Sequence, residues 1–232
     1  MSSCNLAILI SGSGTNLQAV VDAVKNGDIQ NARVALVISS REGAYGLERA
    51  EKQGIPNMVI DKRETKKLLE TLETHDINGI VLAGYLAILP PDVISAYSRR
   101  IINIHPALLP MFGGMGFYGI KVHQAVLASG VKYTGATAHI VDCGVDTGAA
   151  LVRGIVRILP DDTKESLQKR VLKTEHEVLV LAVKALALDK LDEHIRKPQI
   201  LVNEADKKGV AEYAKGLLEL GNALTDADNG EL

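Results

Sequence analysis

The sequence is poor in the features that mark several specialised classes of protein. It contains only two cysteines, Cys4 and Cys143, in 232 residues. They lie far apart and lack metal-ligand spacing, so the sequence excludes a disulfide framework and a zinc site of clustered cysteines. Free thiols are typical of a reducing compartment. The length is sufficient for one large domain with a sizeable core.

The chain also lacks long apolar runs and an excess of either charge. The first apolar stretch, 6–10, is too short for a signal peptide and has no basic segment before it. Nothing approaches the roughly 20 apolar residues of a membrane span. The net charge of -2 argues against a nucleic-acid-binding surface. We therefore expect a cytoplasmic protein with no membrane or nucleic-acid partner.

The first half of the chain alternates between apolar runs and helical patterns. Strands are predicted over 6–10, 33–39, 56–60, 79–83 and 100–104, and helices over 15–25, 45–53, 63–74 and 90–97. This alternation predicts an α/β fold with a Rossmann-like, mostly parallel twisted sheet flanked by helices. In such a sheet the functional site lies at the carboxyl ends of the strands.

The second half of the chain has a different pattern of predicted elements. A glycine-rich loop over 112–119 precedes a helix over 121–129, and strands over 135–141 and 150–159 follow as an antiparallel pair with a short connection. A long helix over 162–188 begins with a predicted capping pair, Asp162 and Glu165. We assign 1–192 to one domain, with halves of about 1–100 and 101–192. The extension 193–232 holds one amphipathic segment, with Val210, Tyr213, Ala214, Leu217 and Leu218 at helical spacing.

The turn after the first strand, Ser11-Gly-Ser-Gly-Thr-Asn16, indicates an anion site. A glycine-rich turn before a helix directs backbone N–H groups and the positive end of the helix dipole at a ligand. It is not a dinucleotide fingerprint, because Leu17 stands where the third glycine belongs and no acidic residue ends the second strand. We therefore predict a site for a single phosphate. The alternative is a tight turn with Thr15 as the helix cap.

Asn103 and His105 end the fifth strand, and strand alternation places both on the same face. A carboxamide and an imidazole together suit work on a carbonyl, because one donates to the oxygen and the other moves or holds a proton. The alternative is that Asn103 caps a turn and His105 is a hydrogen-bonded core histidine.

Two carboxylates accompany this pair. Asp146 lies in the turn between the late strands, where it would favour the protonated form of His105 if the two were close. Glu175 falls on the apolar stripe of the long helix, where a carboxylate needs a partner or a polar ligand. Among the other histidines, His139 is a candidate for orienting the site residues without contacting the substrate. His123 lies on a helix, where packing or capping would explain it.

The combination of the Ser11–Gln18 turn, Leu82-Ala-Gly-Tyr85, Asn103-Ile-His-Pro106, Leu108-Leu-Pro110 and the segment 142–148 resembles the folate-dependent phosphoribosylglycinamide (GAR) formyltransferases. The resemblance covers about residues 5–190. The Asn-Ile-His-Pro stretch alone admits the wider formyltransferase superfamily, whereas the Gly-Ser-Gly-Thr-Asn turn narrows the match to the GAR enzymes.

This resemblance implies formyl transfer from 10-formyltetrahydrofolate, as co-substrate, to GAR, in a monomer or homodimer that needs no metal. The catalytic residues it implies are Asn103, His105 and Asp146. The GAR-binding residues it implies are Gly14, Thr15, Asn16, Leu172, Lys173, Thr174 and Glu175. The folate-binding residues it implies are Arg63, Leu86, Ala87, Ile88, Leu89, Asn103, Asp142, Cys143, Gly144, Val145 and Asp146.

Two departures and three alternatives accompany the resemblance. Many relatives carry Arg where this chain has Ala87, and the 111–119 loop is longer than in the enterobacterial type. A 10-formyltetrahydrofolate hydrolase would use the same trio, but it would have no use for a phosphate turn. A nucleotide-dependent oxidoreductase would need the missing third glycine and ribose-binding acid. A non-catalytic binding protein would leave the trio unexplained.

Overall fold

A computed structural model describes residues 3–213, in which eight strands form one sheet. The strands are β1 (Cys4–Ile10), β2 (Ala32–Ser39), β3 (Asn57–Val59), β4 (Gly79–Leu82), β5 (Ile101–His105), β6 (Tyr133–Ile140), β7 (Ala150–Arg157) and β8 (Gln199–Val202). The helices are α1 (Thr15–Lys25), α2 (Tyr45–Lys52), α3 (Thr65–Thr74), α4 (Pro91–Ala96), α5 (Ile120–Ser129), α6 (Lys164–Ala187) and α7 (Leu191–Arg196).

The strand order is β3-β2-β1-β4-β5-β6-β7-β8. The first five strands in the chain pair in parallel, β5–β6 and β6–β7 pair antiparallel, and β7–β8 is parallel. The predicted mostly parallel sheet with late antiparallel strands and a long C-terminal helix is confirmed. From β1, the strands β2 and β3 are added in turn on one side of the sheet. β4 then pairs with the other side of β1. This reversal opens a crevice at the carboxyl ends of β1 and β4, where α/β sheets bind ligands.

Alternation along the strands sends side chains into a core on each face of the sheet. In β1, Leu6, Ile8 and Ile10 join one core, and Ala7 and Leu9 join the other. The first core is covered by α1, α2, α5, α6 and α7, and the second by α3 and α4. Both faces of the sheet are buried, which is why its strands are continuous apolar runs.

The long helix α6 departs from the prediction at its first turn. Thr163, rather than Asp162, is the N-cap, and its hydroxyl accepts from the backbone N–H of Ser166 at 3.1 Å. The Ser166 hydroxyl accepts in return from the N–H of Thr163 at 3.0 Å, which completes the capping box. Asp162 instead accepts from the N–H of Leu159 at 2.8 Å, because it closes the preceding turn.

The extension contributes a strand that the sequence did not predict. β8 pairs with the edge strand β7, from Val152–Gln199 to Ile155–Val202. Residues 207–213 are helical, and Tyr213 lies 5.2 Å from Tyr133 between ring centroids. The predicted positions Ala214, Leu217 and Leu218 lie outside the described residues. None of the helices in the described part of the chain is long and apolar enough to span a membrane.

Candidate active site

Two adjoining cavities open at the carboxyl ends of the strands. Cavity A is lined by the segment after β4 (84–89), the end of β5, the loop 114–119 and the 141–146 connection. Cavity B is lined by the turn after β1 (Gly12–Asn16) and by one side of the first turns of α6. Gly84, Ile104, Pro106 and Gly119 line both cavities. A ligand in one cavity therefore meets a ligand in the other beside the end of β5.

Asn103 and His105 both face cavity A, while Ile102 and Ile104 belong to the core on the other face, as strand alternation predicted, and Ile104 also borders both cavities. Asp146, in the β6–β7 connection, lies next to Asn103 and His105. Its Oδ2 lies 3.4 Å from His105 Nδ1, and its Oδ1 accepts from Asn103 Nδ2 at 3.4 Å. Asp146 has a φ of 59°, a left-handed conformation that Asp tolerates better than most residues. The predicted trio is therefore one cluster.

His105 is held at both ring nitrogens. Nε2 lies 2.8 Å from the Phe112 carbonyl oxygen, which can only accept, so this nitrogen carries a proton. Burial lowers the pKa of His105, whereas Asp146 and the Phe112 carbonyl raise it, and the result lies below the ordinary histidine pKa. Asp146 thus acts in the predicted direction, but the effect of burial on the pKa of His105 is larger.

Asp146 is ionised within this cluster. Burial raises its pKa, but the imidazoles of His139 and His105 and the N–H of Gly114, at 3.0 Å from Oδ2, lower it further. The pKa therefore lies below the usual range of a carboxyl group. A fixed negative charge beside His105 results.

His139 supports Asn103 from the neighbouring strand. The two residues face each other directly in the antiparallel β5–β6 register. His139 Nδ1 lies 2.8 Å from the Ile140 carbonyl oxygen, which can only accept, so Nδ1 carries a proton. Nε2 lies 3.0 Å from Asn103 Nδ2 and 3.6 Å from Asp146 Oδ1. The amide of Asn103 is thereby oriented with its N–H groups toward the cluster.

The turn after β1 has the geometry of an anion site. Gly14 is the N-cap of α1 with a φ of 71°, and a Cβ there would lie 2.6 Å from Gly46 Cα. No side chain caps the helix, so Thr15 does not play the alternative role considered for it. The first N–H groups of α1 are left for a ligand, at the positive end of the helix dipole.

Glu175 reaches cavity B from the apolar stripe of α6. Its Oε2 accepts from Asn16 Nδ2 at 2.8 Å, a contact between residues 159 positions apart. Burial raises the pKa of Glu175, and the Asn16 hydrogen bond opposes that shift. Asn16 Oδ1 is buried and has no partner. Glu175 Oε1 takes no part in this contact and is the oxygen of the pair left for a ligand.

The predicted site residues divide clearly by position. Cavity B is lined by Gly14, Thr15, Asn16, Leu172 and Glu175, and cavity A by Leu86, Ala87, Ile88, Leu89 and Asp142 to Asp146. Lys173 is exposed, and Thr174 faces Gly154 on β7. Arg63 is exposed and paired with Asp61 at 2.6 Å. These last three residues do not line either cavity.

Several residues that contact the site were not singled out from the sequence. Phe112 and Gly114 hold His105 and Asp146 through backbone groups, which leave no signal in residue type. Glu165, Gln168 and Lys169 line cavity B from the first turns of α6. Their spacing of three and four, on the helix that carries Glu175, was the available signal. Among the described residues, no group of three or more His, Cys, Asp or Glu could hold a metal.

The formyl transferase family model matches residues 4–183. The chain belongs to the formyl transferase family. The GAR formyltransferase of Haemophilus influenzae is 38% identical over 77% of this chain and 85% of its own length. The chloroplastic GAR formyltransferase of Arabidopsis thaliana is 39% identical over 80% of this chain. The resemblance found in the sequence is confirmed.

Solved formyl transferase structures agree. Glycinamide ribonucleotide transformylase 1 of Geobacillus kaustophilus superposes with a TM-score of 0.74, at 38% identity over 80% of this chain and 99% of that one. The chain spans 66% of the Arabidopsis relative and 62% of the Vigna unguiculata one. A formyltetrahydrofolate deformylase of Pseudomonas syringae shares the fold at 24% identity, with a TM-score of 0.73.

Proposed function

We propose that this chain transfers the formyl group of 10-formyltetrahydrofolate to the amine of 5'-phosphoribosylglycinamide, a step of de novo purine (IMP) synthesis. The observation that carries the proposal is the meeting of two cavities beside His105. Cavity B is lined by the turn predicted to bind a phosphate, and cavity A is lined by Asn103 and His105, the pair suited to a carbonyl group. The names of the relatives at 38–39% identity support the same assignment.

The acceptor substrate, GAR, occupies cavity B. Its phosphate binds the N–H groups of Gly14, Thr15 and Asn16 at the start of α1. Glu175 accepts from the ribonucleotide, and Leu172 contacts it from the same face of α6. Lys173 and Thr174 remain predictions of the resemblance, because Lys173 is exposed, Thr174 faces Gly154, and neither residue lines the cavity.

The folate occupies cavity A. Leu86, Ala87, Ile88 and Leu89 line one wall, and the segment from Asp142 through Cys143, Gly144 and Val145 to Asp146 lines the other. Leu86 and Ile88 are exposed in the ligand-free protein, as expected for apolar walls that a flat ligand covers. The exposed Arg63 would exchange its contact with Asp61 for the outer, anionic end of the folate.

Formyl transfer proceeds through a tetrahedral intermediate. The GAR amine nitrogen attacks the formyl carbon, so a new C–N bond forms and the carbonyl electrons move to oxygen. The Asn103 Nδ2 hydrogen that makes the long 3.4 Å contact with Asp146 Oδ1 turns to this oxyanion, and the positive charge of protonated His105 stabilises it. Collapse breaks the bond to the folate N10, which receives the proton released from the amine. Asp146 favours protonated His105 and assists this proton transfer through water.

The test is a folate-release assay with GAR present and absent. We expect tetrahydrofolate release to depend on GAR and formylglycinamide ribonucleotide to form in equal amount. Release at the same rate without GAR would favour the hydrolase, which transfers the formyl group to water. The oxidoreductase alternative predicts binding of NAD. We expect none, since Leu17 is buried where that fingerprint needs glycine.

A further inference from the structure

His123 is a buried polar residue with no part in the mechanism above. It lies on α5 between the buried Val122 and Val126 and is 1% exposed. Its Nδ1 is sealed from solvent and has no hydrogen-bond partner. The residue nevertheless lines cavity B, together with Asn16 and Glu175.

Stability does not explain an imidazole at this position. A sealed ring nitrogen without a partner carries a desolvation cost that an apolar side chain of similar size would avoid. A polar group kept at such a cost beside a ligand cavity suggests a role in binding.

The state of the ring fits a neutral contact. Burial lowers the pKa of His123 to about 4, with nearby His105 adding to the shift, so the ring is uncharged at neutral pH. Because Nδ1 is sealed, Nε2 is the ring nitrogen left to meet a ligand. His123 lies one helical turn after Gly119, which lines both cavities, and His105 is near enough to affect the pKa of its ring.

A second atom in the same wall also lacks a partner. Asn16 Oδ1 is buried and unpaired, while its amide nitrogen is bound to Glu175. Asn16 and His123 are thus both held on the wall of cavity B at the cost of an unpaired polar atom, which is typical of side chains kept for a ligand.

We propose that His123 is a further substrate-contacting residue, whose Nε2 hydrogen-bonds the glycinamide portion of the acceptor and so holds its amine toward His105. This inference rests on the proposed function, because it takes GAR as the ligand of cavity B. It adds a residue from α5 to a site otherwise built from α1 and α6.

The test compares His123→Leu with His123→Gln in steady-state kinetics with GAR and 10-formyltetrahydrofolate. Leucine removes both nitrogens and keeps the volume, whereas the glutamine amide nitrogen can take the place of Nε2. We expect His123→Leu to raise KM for GAR about tenfold, with KM for the folate unchanged and the melting temperature equal or higher. His123→Gln should restore most of the GAR affinity.

Three outcomes would overturn the inference. They are an unchanged KM for GAR in His123→Leu, an equal rise in both KM values with a lower melting temperature, and a glutamine variant no better than the leucine variant. Failure of the proposed function is distinguishable, because the unmodified protein would then show no GAR-dependent folate release at all.

Discussion

The chemistry proposed for this chain rests on a single negative charge beside a single imidazole. Asp146 is the carboxylate nearest to His105, with Oδ2 at 3.4 Å from Nδ1, and it raises the pKa of a ring that burial lowers. Its position therefore decides how much of His105 is protonated when substrate binds.

The first prediction concerns Asp146→Asn. The amide keeps an oxygen for the Gly114 N–H but removes the charge, so the pKa of His105 falls further. We expect kcat to drop by at least about 10²-fold, the scale of losing an acid–base or oxyanion group. Since activity needs protonated His105, the alkaline limb of the kcat–pH profile should move to lower pH. A profile that keeps its alkaline limb would contradict this role for Asp146.

The second prediction concerns Glu175→Ala. This change removes a buried carboxylate and leaves Asn16 Nδ2 without its acceptor at 2.8 Å. Losing a hydrogen bond to a charged group should raise KM for GAR by about 10- to 100-fold while KM for the folate changes little. The matched control is Glu177→Ala, two residues along on the exposed face of α6. Equal effects of the two substitutions, or a larger effect on the folate KM, would count against the assignment of cavity B.

These residues also show how far the sequence alone can reach. Asn103 and His105 share a face because of strand alternation, which the sequence reveals directly. The contact of His139 with Asn103 depends on the β5–β6 register, and the contact of Asn16 with Glu175 joins positions 159 apart. Neither relation is encoded locally, so only the folded sheet reveals them.

At the scale of single elements, the start of α6 shows that a local interpretation can find the beginning of a helix and still assign the wrong capping pair. The segment Pro160-Asp-Asp-Thr-Lys-Glu-Ser166 offers two overlapping caps, Asp162 with Glu165 and Thr163 with Ser166. The second forms, because Asp162 is engaged by the Leu159 N–H and by the Arg170 side chain. Sequence could identify the helix and its first turn, but it could not choose between competing caps.

The third prediction follows from this capping box. Thr163→Ala leaves the N–H of Ser166 without its acceptor, and it should lower the free energy of unfolding by about 1 kcal/mol. Thr163→Ser keeps the hydroxyl and should be within a few tenths of the unmodified protein. Urea unfolding of both variants measures the difference. If the alanine variant unfolds at the same midpoint, the cap contributes nothing.

β8 illustrates a different limit. Gln199-Ile-Leu-Val202 is short and follows Pro198, so it carries little strand signal of its own. It becomes a strand because β7 would otherwise end the sheet with an open edge. An element that depends on a partner's free edge cannot be predicted until the strand order is known.

For the molecule as a whole, the reversal of strand order between β1 and β4 is what creates the site. It brings the glycine-rich turn after β1 beside the ends of β4 and β5, and the antiparallel β6 then carries the connection with Asp146 to the same edge. Parallel strands alone would have needed a crossover helix to place Asp146 there. The sequence predicted the turn after β1 and the Asn103–His105 pair separately. The wall that the two cavities share follows only from the way the sheet folds.

The same burial that shapes the site makes the fold sensitive to acid. Burial lowers the pKa of His105, His123 and His176, so these rings bind a proton less readily in the folded chain. The unfolded chain binds protons at these positions more readily, with an ordinary histidine pKa near 6.5. Their contribution to stability is therefore full above about pH 6.5 and is lost as the pH falls below it.

The fourth prediction measures this effect at His123. With a folded pKa of about 4, the His123 ring should lower the free energy of unfolding by about 2 kcal/mol when the pH falls from 8 to 5. Urea unfolding at both pH values should show that His123→Leu loses less stability on acidification than the unmodified protein, by about that amount. Glu175, whose pKa burial raises, acts in the opposite sense in both proteins and cancels in the comparison. Equal losses in the two proteins would mean that the ring accepts a proton without disturbing the fold.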